Sequence, residues 1–408
     1  MELLKRTVRA LPVKWSGPKN RRHGSDRNIL LSVAALIAVG VIVQYAIGQA
    51  IGLQAGVSEN HFIIRHMISL VVGLFAFVAA WKIPIKFWIS LAPVMIVGGL
   101  LASILPIIID GTGSRWIQIG FFSFQPVEVI KMGFILWSAV YIADSKLERG
   151  KSSANMERLQ PLMVLLAVTT FLIVVLQKDL GSMAVIAVSL LAMLWVGGFS
   201  IKSFAGLLVV VLVGLGLFVN SEQYRRDRFT TFLNPSADCS GEGFQACQAL
   251  IGVGSGGLFG RGVGESVQVY GYLPEANNDS VFAIFAEIGG FVGVAVLFAI
   301  IYRLYSSMYL TAKSIDPVGR LIIVGIMGWL AFQTMLNIGA MIGLLPLKGI
   351  TLPFISYGGS SLLMTLFASG IVLQLSSYTM YTHAKNRQTT HSSMRGRVRR
   401  PSHSAARG

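Results

Sequence analysis

The chain alternates between long apolar runs and short polar segments. Each run holds about 20 residues, the length that an α-helix needs to cross the roughly 30 Å apolar core of a bilayer. Ten runs of this kind lie at about 28–48, 63–81, 87–109, 126–143, 159–177, 181–198, 203–220, 281–302, 319–341 and 361–382. The fifth and sixth runs are so close that they predict a tight re-entering pair. The pattern therefore predicts an all-α polytopic membrane protein with about ten transmembrane helices.

Composition supports a membrane protein and argues against a soluble one. Hydrophobic residues make up 54% of the 408-residue chain and charged residues 13%, whereas a soluble domain carries about 25% charged residues. The first apolar run is long enough to span a bilayer, so we interpret it as a signal anchor rather than a cleaved signal peptide.

The distribution of positive charge predicts the orientation. With the N-terminus in the cytosol, the inside segments hold 25 of the 34 Lys and Arg residues, as the positive-inside rule requires. An even number of spans returns both basic tails, 1–27 and 383–408, to the cytosol and leaves a transmembrane domain at 28–382. Since much of the net charge of +16 lies in these two tails, anionic lipid explains it better than nucleic acid does.

One extracytoplasmic loop, at 221–280 between the seventh and eighth spans, is much longer than the others. Loops of this length are either functional or disordered connectors, and its many aromatic and apolar residues favour a functional loop. It contains basic Arg225 and Arg228 and both cysteines of the chain, Cys239 and Cys247. In an oxidising compartment the two cysteines form either a disulfide or two free thiols.

The fourth span contains Glu128 and Lys131. Charges inside the bilayer are costly and usually have a partner, and the i,i+3 spacing puts these two on one helix face. The pair either fixes helix packing or also shapes a cavity for an anionic headgroup. Just before this span, Arg115 lies beside Trp116, so it either anchors the chain at the interface or binds phosphate.

Two further carboxylates lie near the mouth of the eighth span. Asp279 opens that span from the outside, where an external headgroup would arrive, or it caps the helix. Glu287 lies two turns deeper and needs either a partner or a proton. Asp179, between the fifth and sixth spans, is expected to cap the helix that follows it.

The segment 346–361 leads into the last span and contains two prolines and an adjacent glycine pair. These residues forbid a continuous helix, and irregular backbone at this depth is tolerated only against protein or water. We therefore expect Lys348, Ser356 and the neighbouring hydroxyl groups to face a polar cavity. In the ninth span, Gln333 and Asn337 form an i,i+4 polar stripe that is expected to bond to neighbouring helices.

Several of these segments together resemble the SEDS family, which includes FtsW and RodA. They are SRWI at 114–117, QPVEVIK at 125–131, DLG at 179–181, YLPEA at 272–276 followed by Asp279, and KGITLPFISYGGSS at 348–361. The match runs in order from about residue 28 to 380. The amino-acid sequence of the last segment resembles the cell-division branch, FtsW, more than the elongation branch.

The resemblance implies a peptidoglycan glycosyltransferase that polymerises lipid II at the outer face of the cell inner membrane, for septal wall synthesis. It implies a class B penicillin-binding protein and other divisome proteins as partners, and an undecaprenyl-pyrophosphate-linked glycan as the second substrate. The catalytic aspartate of the family maps to Asp279 and its buried ion pair to Glu128 and Lys131. Arg115, Lys348, Ser356, Arg225 and Arg228 are the remaining candidates for binding the headgroup.

The chain departs from the family pattern at three positions. Asn277 replaces a frequent histidine, Lys178 replaces a proline and Ser123 replaces a basic residue, so the cations around the headgroup are expected to be arranged differently. No nucleotide cofactor is needed, because the leaving group is already activated. A divalent cation, Mg²⁺ or Mn²⁺, is an open alternative with no specific ligand set. The alternative functions are a lipid II flippase and a non-catalytic scaffold for the transpeptidase.

Overall fold

The protein is described here from a computed structural model. The described residues are 23–54, 56–58, 60–119, 122–147, 156–198, 232, 239–241, 243–346, 349–357 and 359–379.

Helices account for most of these residues. In chain order they are α1 (Arg27–Gln54), α2 (His61–Lys82), α3 (Ile85–Ala102), α4 (Leu105–Asp110), α5 (Pro126–Leu147), α6 (Met156–Thr170), α7 (Leu180–Val196), α8 (Phe244–Ser255), α9 (Val281–Lys313), α10 (Pro317–Met341) and α11 (Gly359–Ser376). A π-helical segment, Phe171–Leu176, continues α6. Two short antiparallel strands, β1 (Ile117–Ile119) and β2 (Phe122–Phe124), form a hairpin before α5.

The helices confirm the polytopic membrane fold. Within the described residues, seven helical stretches are long and apolar enough to cross a bilayer, and two shorter apolar helices lie at Gln160–Leu176 and Leu180–Val196. These nine correspond to nine of the ten predicted spans. The remaining predicted span, 203–220, lies outside the described residues.

Three local features differ from the simple run of spans. The predicted span 87–109 is divided into α3 and α4, with Pro106 in the first turn of α4, because proline is favoured where a helix begins. The hairpin of β1 and β2 was not predicted. Finally, α9 extends to Lys313, well beyond the predicted end at 302, because a helix continues past the membrane where hydropathy no longer marks it.

The most buried helices form the centre of the bundle. In both α5 and α11, 89% of the apolar window is buried inside the protein, against 22% in α2 and 28% in α3. The main packing pairs are α11 with α2, α3 with α5, and α10 with α7. The outer helices therefore turn apolar side chains toward lipid, while α5 and α11 carry polar groups that the bundle itself must satisfy.

The helix α9 is broken at Gly290, whose φ of 60° and ψ of −165° are not helical. Near the break, the N–H groups of Arg261 and Gly262 donate to the carbonyl oxygens of Glu287 and Ile288. Beyond it, the N–H groups of residues 291 and 292 donate to the carbonyl oxygens of residues 257 and 258. The preceding loop thus satisfies backbone groups that the break leaves without an intrahelical partner.

The two ends of the described chain meet at one end of the bundle. The ring Nε2 of His23 lies 2.9 Å from the hydroxyl of Thr379, and the backbone N–H of Asp26 donates to the hydroxyl of Ser376 at 2.9 Å. The chain therefore enters and leaves the bundle on the same side, as an even number of spans requires.

Candidate functional site

A polar cavity lies among the first turns of α5 and α7, the C-terminal half of α10 and the segment that precedes α11. It contains about 460 Å³ of space that no atom fills, part of it open to the surroundings. Its polar lining residues are Arg115, Gln125, Glu128, Lys131, Asp179, Ser182, Gln333, Thr351 and Ser361. In a bundle that is otherwise apolar, this concentration of polar side chains in one cavity marks the candidate site.

Glu128 and Lys131 form a buried ion pair in the wall of the cavity. Lys131 Nζ donates to Glu128 Oε1 at 2.8 Å, and each residue is 3% exposed. The ammonium also lies 3.5 Å from Gln333 Oε1 and 4.6 Å from the centre of the Trp329 ring. The other carboxylate oxygen, Glu128 Oε2, has no hydrogen-bond partner among the described residues, so the pair adds both a cation and an acceptor to the cavity.

Asp179 connects α7 to the neighbouring segments. As the capping alternative predicts, its carboxylate accepts from the backbone N–H of Ser182 at 3.1 Å and so caps α7. It also accepts from the hydroxyl of Ser182 at 2.8 Å and from the side-chain amide of Gln125 at 3.2 Å. Asp179 is 5% exposed, and these bonds compensate for the burial of its charge.

Arg115 both lines the cavity and holds the turn before α7. Its Nε donates to the carbonyl oxygen of Gln177 at 3.0 Å, and its Nη2 donates to that of Lys178 at 2.8 Å. Its Nη1 lies 3.7 Å from Asp179 Oδ1. Anchoring at the membrane interface therefore does not account for the main contacts of Arg115, which are with the turn before α7. The side chain keeps 34% of its surface exposed, so it is accessible to a ligand.

Residues of α10 and α11 complete the opposite wall. The side-chain amide of Gln333 donates to the carbonyl oxygen and the hydroxyl of Thr351 at 2.9 and 3.0 Å. The hydroxyls of Thr351 and Ser361 lie 2.8 Å apart. Gln333 thus accepts from Lys131 of the neighbouring helix α5, as the polar stripe predicted, and it also bonds to the loop before α11, so it connects that loop to the ion pair.

Asp279 lies beside the cavity, directly before α9. Its Oδ2 is 3.7 Å from the position that a Cβ atom on Gly349 would occupy, and Gly349 lines the cavity. The capping alternative for Asp279 is wrong, because the N-cap of α9 is Ser280. Capping of α9 therefore does not account for the position of this partly buried carboxylate.

The other predicted site residues do not line the cavity or cannot be described. Ser356 is 4% exposed, and its hydroxyl is hydrogen-bonded within the protein. Lys348, Arg225 and Arg228 lie outside the described residues, so their roles in binding a headgroup remain predictions. A disulfide joins Cys239 to Cys247, which lies in the first turn of α8.

Glu287 has the partners that its burial requires. Its carboxylate accepts from the hydroxyl of Ser266 at 2.5 Å and from the backbone N–H groups of Val267 and Gln268 at 3.0 and 3.3 Å. Arg261 Nε lies 3.8 Å from it. Glu287 therefore fastens the loop before α9, and its contacts give it a structural role away from the cavity.

No group of three His, Cys, Asp or Glu side chains in the described part of the chain is arranged to hold a metal ion. The divalent cation therefore stays a prediction.

Thr351 and Ser361 belong to the hydroxyl groups of segment 346–361 that were expected to face a cavity, and both line it. Sequence reasoning recognised Gln125 only as part of a motif and did not consider Gln44. Gln44 is 2% exposed in the middle of α1, and an uncharged amide buried in an apolar span is the only signal that could have found it.

Comparisons with known proteins agree with this architecture. Residues 26–381 match the family model for FtsW, RodA and SpoVE, described as "Cell cycle protein". A relative from Coxiella burnetii named "Probable peptidoglycan glycosyltransferase FtsW" is 37% identical over 364 residues, covering 87% of this chain and 96% of the relative. "Stage V sporulation protein E" from Bacillus subtilis is 33% identical over 371 residues, covering 88% and 99%.

A solved structure described as "Structural coordination of polymerization and crosslinking by a peptidoglycan synthase complex" contains a similar chain. The TM-score is 0.68 at 26% identity, and the match covers 86% of this chain and 97% of that one. The family model spans most of the present chain, and the relatives are matched over nearly their whole length. The chain therefore belongs to the FtsW/RodA/SpoVE family of cell cycle proteins.

Proposed function

We propose that this protein is a peptidoglycan glycosyltransferase that polymerises lipid II at the outer face of the cell inner membrane, for septal wall synthesis in cell division. The observation that carries the proposal is the position of Asp279 beside a cavity that contains a buried Lys131–Glu128 pair. The name of the Coxiella burnetii relative supports the same reaction and the division branch.

The cavity suits an anionic, hydroxyl-rich headgroup. Lys131 and Arg115 provide positive charge, and the N-terminal ends of α5 and α7 add partial positive charge where they meet the cavity. Glu128 Oε2 and the hydroxyls of Thr351 and Ser361 offer acceptors and donors to sugar hydroxyls. A pre-organised polar site of this kind strengthens electrostatic stabilisation of a leaving group.

The reaction joins the lipid-linked growing glycan, the donor, to the C4 hydroxyl of an incoming lipid II. Asp279 accepts the proton of that hydroxyl while the hydroxyl oxygen forms a bond to the anomeric carbon of the donor. The bond from that carbon to the pyrophosphate breaks, and undecaprenyl pyrophosphate leaves with the electron pair. Lys131 and Arg115 stabilise the negative charge of the leaving group, and Lys348, Arg225 and Arg228 are further candidates by sequence.

We also propose the orientation and the partner. The positive charge of the tails and the meeting of residues 23–26 with 376–379 support two cytoplasmic termini. This leaves Asp279, at the other end of the bundle, on the outer face. The structural likeness to a chain from a complex that coordinates polymerisation and crosslinking supports a class B penicillin-binding protein as partner.

Purified protein with lipid II in detergent tests the reaction, because no flipping is required there. The cognate transpeptidase is added with its transpeptidase site inactivated, so that any polymer reflects glycosyl transfer. We expect the wild type to form glycan strands and Asp279→Asn to lose at least roughly a hundredfold in rate, the lower end of a general-base contribution.

The alternatives predict other results. A flippase forms no polymer under any partner condition but translocates lipid II in vesicles. A scaffold predicts that Asp279→Asn still complements loss of the protein in cells. Either outcome would overturn the proposal.

A further inference from the structure

The backbone that carries Asp279 is fastened by buried amide side chains from two helices distant in sequence. The side-chain amide of Asn337, in α10, donates to the carbonyl oxygen of Asp279 at 2.6 Å. The same nitrogen donates to the carbonyl oxygen of Ile350 at 2.7 Å. Asn337 is 2% exposed. It therefore joins the Asp279 backbone to the segment that begins at Gly349 in the cavity wall.

Gln44 makes the same kind of connection from the other side. Its side-chain amide donates to the carbonyl oxygen of Asn277 at 2.9 Å and to that of Ile355 at 3.0 Å. It is also 2% exposed and lies in the middle of α1, a span that is mostly apolar. A buried amide in such a helix is expected to make bonds that the protein needs.

The carbonyl between these two is held as well. Ser356 donates its hydroxyl to the carbonyl oxygen of Asn278 at 2.6 Å and accepts from the backbone N–H of Leu352 at 2.7 Å. The backbone N–H of Tyr357 donates to the carbonyl oxygen of Asn277 at 2.7 Å. Three consecutive carbonyls, at 277, 278 and 279, are thus each bonded to a side chain of a different element.

The contacts share a geometric consequence. Gln44 and Asn337 each bond to one carbonyl of the segment 277–279 and to one carbonyl of the segment 350–355. Both segments are irregular, so these bonds, rather than a helical ladder, set the distance between the carboxylate and the cavity wall. Catalytic groups must be held within about 0.5 Å of their productive geometry, and a misplacement of about 1 Å costs roughly a hundredfold in rate.

We infer that Gln44 and Asn337 are positioning residues for the Asp279 carboxylate. The inference rests on the proposed glycosyl transfer. Neither residue lines the cavity, so each acts through the backbone of the segment 277–279.

A matched control exists in α11. Gln374 is 1% exposed, and its side-chain amide donates to two backbone carbonyls, those of Trp81 at 3.0 Å and Ile83 at 2.5 Å. These carbonyls lie at the opposite end of the bundle from Asp279. Gln374→Met and Gln44→Met therefore each remove two hydrogen bonds from a buried side-chain amide to backbone carbonyls, and only the bonds of Gln44 support the segment that carries Asp279.

The experiment compares Gln44→Met, Asn337→Leu and Gln374→Met with the wild type. Thermal unfolding in detergent measures stability, lipid II polymerisation gives kcat and KM, and hydrogen exchange measures the opening of peptide 275–282. We expect Gln44→Met and Gln374→Met to lower the unfolding temperature by similar amounts. Gln44→Met and Asn337→Leu should lower kcat roughly tenfold to a hundredfold with little change in KM, and should speed exchange in 275–282.

Gln374→Met should leave kcat and that exchange unchanged. Equal loss of kcat in Gln44→Met and Gln374→Met, or full kcat and unchanged exchange in Gln44→Met, would overturn the inference. Failure of the proposed function is distinguishable, because the wild type would then form no polymer at all. Hydrogen exchange would still decide in that case: unchanged exchange in both Gln44→Met and Asn337→Leu would refute the positioning role.

Discussion

Removing Lys131 should destabilise the protein far more than removing Lys131 and Glu128 together. The two groups are 2.8 Å apart and each is 3% exposed. Lys131→Met leaves the Glu128 carboxylate buried without its cation, and loss of one partner of a buried pair typically costs about 3–5 kcal/mol. The double variant Glu128→Gln with Lys131→Met leaves no uncompensated charge, so most of that loss should be recovered.

The assay is a double-mutant cycle on purified protein in detergent. Tryptophan fluorescence follows thermal unfolding, since Trp137 and Trp329 are fully buried. The entropy of unfolding is about 2.1 cal/mol/K per residue, so for a chain of 408 residues 1 kcal/mol corresponds to about 1.2 °C, and the single variant should unfold roughly 4–6 °C below the wild type. Polymerisation of lipid II is measured on the same samples at a temperature where all variants are folded.

Activity should separate from stability. The double variant should regain its unfolding temperature yet remain inactive, because the cavity has lost the cation that we propose stabilises the pyrophosphate. If the losses of stability of the two single variants simply add in the double variant, Glu128 and Lys131 are not coupled, and the predicted compensation between the two charges is refuted. If the double variant regains activity as well, the pair fixes packing only, and Lys131 has no role toward the headgroup.

Three further outcomes follow from other parts of the chain. Gly290→Ala should destabilise the protein by several kcal/mol, because its φ is 60° and a Cβ would lie 2.2 Å from Gly260 N; Gly293→Ala, where the nearest atom is 3.8 Å away, is the control, and equal unfolding temperatures would contradict the argument. Thiol titration of the denatured protein should find no free thiol before reduction and two after it, since the chain has two cysteines and they are paired; two reactive thiols in the unreduced protein would contradict the pairing. Green fluorescent protein fused after residue 408 should fluoresce and alkaline phosphatase fused there should be inactive, because the C-terminus is proposed to be cytoplasmic; the reverse pattern would refute the orientation.

Sequence predicted the spans well because hydropathy depends only on which residues are present. It could not predict the break in α9, since Gly290 leaves hydropathy unchanged and the break depends on a loop about 30 residues earlier. It also ended α9 too early, because Arg303 stops an apolar run without stopping a helix. Properties set by local composition were therefore predictable, and those set by tertiary hydrogen bonds were not.

The same division holds for the site. Glu128 and Lys131 were found together because their i,i+3 spacing is visible in the sequence. The proximity of Asp279 to Gly349 was not, since these residues are 70 positions apart and meet only through the folded loops. Gln44 is 233 positions away from Asn277 in the sequence, and nothing near Gln44 indicates that it bonds to the carbonyl of Asn277.

The broken helix α9 has a consequence for biogenesis. Around Gly290, carbonyl and N–H groups of this span find their partners in residues 257–262, and in hydrocarbon an unsatisfied backbone group costs several kcal/mol. The translocon meets those residues first, because they precede α9 in the chain. In the proposed orientation this loop is exported, so its export must come before stable insertion of the span, and a delay in export would leave α9 unable to partition fully into lipid.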